Sequence, residues 1–337
     1  MSNVPSPAEI ARDARWLAQA TDAAGTIVRL VEMTPEAYRA ASFLDDRLLQ
    51  VPVNTQARPF DEIAACFEPD ARTDARWIFQ IGHVGSTLVS RLFGELDGVL
   101  AIREPRLLRD LAAILPGRRG EITPVVHKLF SRTFRPPDSA LVKATSFVGE
   151  IAAELMPPVA RALFVYADAG TYIATILAGE NSLKELAALA PVRALRMAGR
   201  VRGLRSGDSP ADFAAAAWAC EMTALESAAA VIGDQRLRWL DFDAFLSDVP
   251  AMVAELAEFL GFHAPPDRIA EIVRGPLLSR YSKAQEYEYS ASLRRELIEQ
   301  ERRLQGGRID AALAMLNRSA QDSPLLARAL ARGRPER

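Results

Sequence analysis

The sequence predicts an α/β fold: a mostly parallel central sheet of about five strands, clothed by many helices. Three observations carry that reading. Five short apolar runs have strand length: Trp77–Ile81, Val99–Ile102, Ala140–Lys143, Ala162–Tyr166 and Leu237–Asp241. Helical patterns separate successive runs, as right-handed crossovers between parallel strands require. The chain has 337 residues, 49% hydrophobic and 25% charged, the balance of an ordinary globular protein with a sizeable core.

In chain order, residues 7–20 open on Ser6-Pro7, a helix start, and place Ile10, Ala14, Leu17 and Ala18 at helical spacing. Ile27–Val31 reads as a short strand, Thr34-Pro35 starts another helix, and Val51–Arg76 is polar and contains prolines. Residues 1–75 are therefore expected to form a helical appendage packed on a core domain of residues 76–320. In that core the first strand breaks at Gly82, and a helical pattern runs from Ser86 to Leu96. Further helices are predicted over 106–115, 123–132, 146–156, 170–178, 183–200 and 210–231, the last rich in alanine around Trp218 and read as core packing. After the fifth strand they cover 249–260, 266–273, 291–304 and 308–317. Residues 321–337 hold Arg328, Arg332, Arg334 and Arg337 and are expected to form a flexible tail.

Composition narrows the function. Lys and Arg total 41 against 43 Asp and Glu, for a formal charge of −2 and a pI near 6.1. That balance argues against nucleic acid as a partner, because such binding needs a basic surface to displace counterions. Cys66 and Cys220 form no CxxC and only three histidines are present, so no zinc site is predicted and the thiols read as reduced. The N-terminus carries no basic-then-apolar leader pattern. The most apolar stretch, Leu163–Gly179, is interrupted by Asp168 and two glycines, so no membrane span is predicted there. A cytoplasmic protein is expected; its oligomeric state is not legible.

The segment Ile81-Gly82-His83-Val84-Gly85-Ser86-Thr87 joins a buried strand to a helix through two glycines and two hydroxyl residues. Glycines let backbone N–H groups approach an anion, and a helix N-terminus adds partial positive charge. No lysine precedes Ser86, so the loop departs from the GxxxxGK[ST] pattern of nucleotide hydrolases. A helix capped by Ser86 after a tight turn explains the same residues. Glu104, just after the second strand in Arg-Glu-Pro, reads either as a general base or as a surface partner of Arg103 or Arg106. Lys143, ending the third strand, reads either as a charge-stabilising group or as a strand-end lysine reaching solvent. Arg193, Arg196, Arg200, Arg202 and Arg205 suggest a solvated face or an acidic-substrate site. His127 and His263 read as structural or surface residues. Tyr281, Tyr287 and Tyr289 offer either stacking surfaces or helix packing.

The loop, then Ile102-Arg103-Glu104-Pro105, Leu141-Val142-Lys143, Leu163-Phe164-Val165-Tyr166-Ala167-Asp168 and Trp239-Leu240-Asp241-Phe242-Asp243-Ala244-Phe245-Leu246, resemble the sulfotransferase superfamily in kind and order over roughly residues 76–300. In particular the sequence resembles a divergent bacterial branch with a GST loop and Arg280-Tyr281-Ser282-Lys283 before an Arg-rich helix. The resemblance implies a P-loop-type three-layer sandwich. It also implies metal-free transfer of a sulfuryl group from 3′-phosphoadenylyl sulfate (PAPS) to a hydroxyl or amine of a small-molecule or peptide acceptor, leaving adenosine 3′,5′-bisphosphate. It assigns Glu104, Lys143 and His83 to catalysis, and Gly82, Gly85, Ser86, Thr87, Thr175, Arg280 and Lys283 to the donor. His83 stands where the family loop usually has Lys or Arg. Ala167 stands where the family has the arginine for the 3′-phosphate; Thr175 fills the hydroxyl place eight residues on, and Arg280 and Lys283 are the substitute cations. The alternatives are a small-molecule kinase, with Asp168 as a magnesium carboxylate, and a non-catalytic nucleotide-binding or interaction protein.

Overall fold

The structure, a computed structural model, describes residues 5–204, 209–279 and 290–333. The five predicted strands form one parallel sheet: β4 (Arg76–Gln80), β5 (Val99–Arg103), β6 (Ser139–Lys143), β7 (Ala162–Tyr166) and β8 (Leu237–Asp241), in the order β5-β6-β4-β7-β8. The three central strands are almost wholly buried, as helices on both faces of a parallel sheet require. The first strand in sequence thus lies in the middle, and the chain steps from it to β5 on one side and later to β7 on the other. Between β4's two neighbours the order reverses, and the loops leaving the carboxyl ends there diverge to open a crevice.

The N-terminal segment departs from the helical reading. Pro7–Arg12 is helical, but Asp13 stops the helix, and β1 (Trp16–Thr21), β2 (Ile27–Glu32) and β3 (Thr55–Pro59) form an antiparallel sheet of their own. The apolar run Trp16-Leu17-Ala18 fits either period; burial on both faces of β1 decides for strand. Two buried arginines tie this part to the rest. Arg132 donates to the carbonyls of Ile10, Trp16 (2.7 Å) and Leu129 (2.8 Å). Arg103, at the end of edge strand β5, donates to the carbonyls of Tyr38, Arg39 and Ala41, while Leu44 N–H donates to its own carbonyl at 2.8 Å. The segment thereby covers one edge of the parallel sheet. A single hydrophobic core runs from Ile10 to Ala329 through both sheets.

The C-terminal part is more ordered than expected. The two helices predicted over 291–304 and 308–317 are one, Ala291–Ala320, with Gly306 and Gly307 inside it. Glycine lowers helix stability by about 1 kcal/mol without forbidding helical angles, and packing holds this helix through. The expected flexible tail contains a helix, Pro324–Arg332, with Leu326 and Ala329 fully buried. Arg332 pairs with Glu226, whose carboxylate is buried, and Tyr166 Oη donates to the Arg332 carbonyl at 3.2 Å. The helix Pro210–Ile232 is long and apolar enough to cross a membrane by length and composition; here it runs through the interior, with Trp218, Cys220 and Met222 buried.

Candidate active site

The loop after β4 is shaped by three left-handed residues, Gly82 (φ 87°), His83 (φ 54°) and Gly85 (φ 66°). Gln80, at the buried end of β4, fixes its start: its Oε1 accepts from Gly82 N–H at 2.5 Å and its Nε2 donates to the Ala144 carbonyl at 3.4 Å. Gly85, and not Ser86, is the cap of the helix Ser86–Gly94, and no side chain caps that helix. Its first N–H groups are therefore available to an anion. Gly85 has a second reason to be glycine: a Cβ there would lie 1.9 Å from Cζ of Phe242. The ring of Phe242, just past β8, closes one flank of the loop.

In front of the loop lies a cleft of about 860 Å³. Gly82, His83, Val84, Gly85 and Ser86 form one wall, with Glu104 and Lys143 beside them. The sheet explains the last pair. Arg103 of β5 sits opposite Lys143 of β6 in the parallel register, and Glu104 N–H donates to the Lys143 carbonyl at 2.7 Å. Glu104 takes a left-handed conformation (φ 53°), and its Oε1 accepts from Lys143 Nζ. A lysine only 1% exposed and a glutamate 9% exposed are thus paired at the edge of the cleft. Burying either charge alone would be costly. Neither Arg103, which holds the N-terminal carbonyls, nor Arg106, which pairs with Asp46 and Asp110, is the partner of Glu104.

His83 turns toward the helix Glu180–Met197: its Nδ1 lies 3.3 Å from Ser182 Oγ and its Nε2 3.7 Å from Glu185. Thr87 is buried behind the loop, and its hydroxyl has no hydrogen-bond partner among the described residues. Thr175 is not brought to the cleft. It lies in the helix Ala169–Leu177, and its hydroxyl donates to the Thr171 carbonyl at 2.8 Å. A helix-interior threonine satisfies itself in this way where no better acceptor faces it. Ala167, at the end of β7, is buried and its carbonyl accepts from Trp218 Nε1 at 2.9 Å. Arg280 and Lys283, with Tyr281, Tyr287 and Tyr289, lie outside the described residues, as does Arg205. On this side of the sheet Arg294 pairs with Asp243 at 2.5 Å, whereas Arg302 donates only to the neutral Thr171 Oγ1 at 2.8 Å. Burial raises the Asp243 carboxyl above its usual range, against the pull of Arg294.

Sequence reasoning missed the support behind the cleft. Phe147, which lines it, has a left-handed backbone (φ 71°). Its N–H donates to Glu221 Oε2 at 2.9 Å, its carbonyl accepts from Arg196 at 3.1 Å, and the Arg193 and Arg196 guanidinium groups lie 4.6 and 4.7 Å from its ring centroid. Glu221 is 2% exposed, and burial pushes its carboxyl up to about 7 although Arg193, 3.6 Å away, pulls it down. Arg193 is not on a solvated face, and Arg200 grips Glu150 through two bonds of 2.5 and 2.7 Å. The signal was faint: one of two glutamates in an alanine-rich helix and one arginine among five.

Fold and site together define a parallel α/β protein with a glycine loop leading into an uncapped helix at the carboxyl edge of its sheet and a buried Lys–Glu pair beside it. No family model matches the chain, and no curated protein does. Among solved structures it is similar to a sulfotransferase domain from the curacin biosynthetic pathway, at 10% identity over 67% of this chain and 89% of that one, with a TM-score of 0.42. It is also similar to a mouse sulfotransferase complexed with PAP, at 12% identity over 77% and 89%, with a TM-score of 0.40. A third is retinol dehydratase in complex with retinol and PAP, at 16% identity over 95% and 96%, with a TM-score of 0.35.

Proposed function

We propose that this chain is a sulfuryl-transfer enzyme using a PAPS-type donor and a hydroxyl or amine of a small-molecule or peptide acceptor, working in the cytoplasm. The observation that carries the reading is the Lys143–Glu104 pair set beside an uncapped helix N-terminus in one cleft. The residue order that resembles sulfotransferases supports it. The loop fits the anionic end of such a donor: backbone N–H groups of Gly85 to Thr87 and the Ser86 hydroxyl supply neutral donors there. The donor, when bound, supplies an electrophilic sulfuryl group and a phosphate leaving group.

Glu104 is the proton acceptor of this reading. Lys143 holds its carboxylate in place beside the cleft, within reach of the proton of an acceptor hydroxyl or amine. Lys143 also sets a positive charge where negative charge grows, in a site largely screened from water. His83, held by Ser182 and Glu185, is the loop side chain that orients what enters. At the β7 edge the fit is narrower. Ala167 offers no charge and Arg294 is paired with Asp243, so a 3′-phosphate would depend on Arg302, whose one hydrogen bond among the described residues goes to the neutral Thr171 hydroxyl, and on Arg280 and Lys283. The kinase reading loses its metal ligand: Asp168 accepts from Thr171 N–H at 3.0 Å as a helix cap and does not line the cleft.

Calorimetry with adenosine 3′,5′-bisphosphate tests this directly, with AMP and magnesium-ATP as comparators. The bisphosphate is expected to bind, and Lys143→Met to abolish sulfuryl transfer. Absence of binding at millimolar concentration would remove PAPS as the donor.

A further inference from the structure

The cleft extends well past the loop, and its far walls are not neutral. Beyond the loop it is lined by Phe43, Arg47 and Arg109, and by Glu185, Leu189, Val192 and Arg196 of the helix Glu180–Met197. Arg109 lies on the helix Arg106–Ala113, which follows the edge strand β5. That strand is two places from β4, so this wall begins about 10 Å from the loop. The loop and Lys143 suffice for a sulfuryl group and its adjoining phosphate; these arginines belong to whatever fills the remainder.

Their partners show how much charge is left over. Arg47 lies over the Phe43 ring and gives two bonds to Asp45, at 2.8 and 2.6 Å, so it is largely neutralised. Arg196 is stacked on Phe147, spends one N–H on that residue's carbonyl and makes no ion pair among the described residues; its charge helps to hold down the buried Glu221 carboxyl. Arg109 makes no hydrogen bond or ion pair among the described residues; its charge only helps to hold the nearby Asp45 carboxyl below its usual range. Of the cleft's two glutamates, Glu104 is taken by Lys143 and Glu185 faces His83. The excess is positive, carried by the guanidinium groups of Arg109 and Arg196, with Leu189, Val192, Phe43 and Phe147 also lining the space. A guanidinium fork matches a carboxylate or a phosphate oxygen pair, where an ammonium would act only as a point charge.

We infer that the acceptor is itself an anion: an alcohol or phenol with an apolar body and a carboxylate or phosphate, read by Arg109 and Arg196 at the end of the cleft away from the loop. The inference rests on the sulfuryl-transfer reading, because it treats the loop end as filled by the donor. It names a substrate class, and its residues are separate from Glu104 and Lys143.

The experiment uses the full chain and matched probes. Hydroxyphenyl, hydroxycinnamyl and long-chain hydroxyalkyl carboxylic acids, and the corresponding phosphates, are each paired with the neutral amide or methyl ester of the same skeleton. Binding is measured by calorimetry with adenosine 3′,5′-bisphosphate present, and sulfation with PAPS. The acids of at least one skeleton are expected to bind about tenfold tighter than their neutral partners, the scale of one charged hydrogen bond. Arg109→Gln, at an exposed position that should not disturb folding, is expected to erase most of that difference and leave the neutral compounds unaffected. Arg196→Gln should act in the same direction. Neutral compounds that bind as well as the acids would overturn the inference. So would failure of every acid to bind while the bisphosphate does, or acid selectivity that survives Arg109→Gln together with Arg196→Gln. If the acids bind and the bisphosphate does not, the anion-reading cleft stands and the donor assignment falls.

Discussion

Replacing Gly85 with alanine perturbs the loop in two separable ways. At φ 66° the residue is left-handed, where a Cβ costs about 1 kcal/mol. The same Cβ would lie 1.9, 2.2 and 2.3 Å from Cζ, Cε2 and Cε1 of Phe242, a ring buried to 2% exposure and stacked on Phe245. Those distances force the ring or the loop to move, an overpacking cost of about 1–3 kcal/mol. Gly85→Ala is therefore expected to destabilise the protein by about 2–4 kcal/mol. Phe242→Leu removes the three contacting atoms. In that background the same substitution should cost only the conformational part, about 1 kcal/mol, so the two changes couple by about 1–3 kcal/mol. Urea unfolding followed by tryptophan fluorescence on the four proteins of this cycle measures the coupling. Additive penalties would refute the argument, since they would mean that Phe242 does not rest on Gly85.

Other outcomes follow from the same structure. Lys143→Met strands a buried carboxylate and should cost about 3 kcal/mol or more, of which Lys143→Met with Glu104→Gln recovers a large part; chemical denaturation of both would expose a solvent-separated pair if the single change were nearly silent. Glu221 binds its proton more tightly in the folded chain than in the unfolded one, so its ionisation erodes stability as pH rises from about 4.5 to about 7. At about 1.4 kcal/mol per pH unit that is about 3 kcal/mol, fully present below pH 4.5 and lost above 7, and Glu221→Gln should flatten this part of the stability–pH curve. An unchanged slope would place that titration elsewhere. Truncation after Gln321 removes buried Leu326 and the Arg332 partner of Glu226, with an expected loss of at least about 3 kcal/mol; a thermal melt like that of the full chain would restore the picture of a loose tail.

Sequence alone determined the parallel sheet. Apolar five-residue runs alternating with helical patterns leave few other arrangements, because each run must be covered on both faces. It also marked the loop, since two glycines and two hydroxyl residues between a buried strand and a helix form a local pattern that needs no distant partner. What it could not decide was pairing. Glu104 and Lys143 are 39 residues apart, and only the register of β5 against β6 makes them partners and excludes Arg103 and Arg106. Glu221 and Phe147 are 74 residues apart, and nothing in the sequence near either one points to the other. The N-terminal run Trp16-Leu17-Ala18 satisfies helix and strand periods alike, and it became a strand because β2 lies alongside it. The C-terminal arginines read as a fraying tail until the fold placed the carboxylate of Glu226 beneath one of them. Local periodicity records which faces a segment must bury. Which charge answers which is fixed only when strand order and register bring distant positions within a few ångströms, where desolvation makes an unpaired charge costly and a paired one stable.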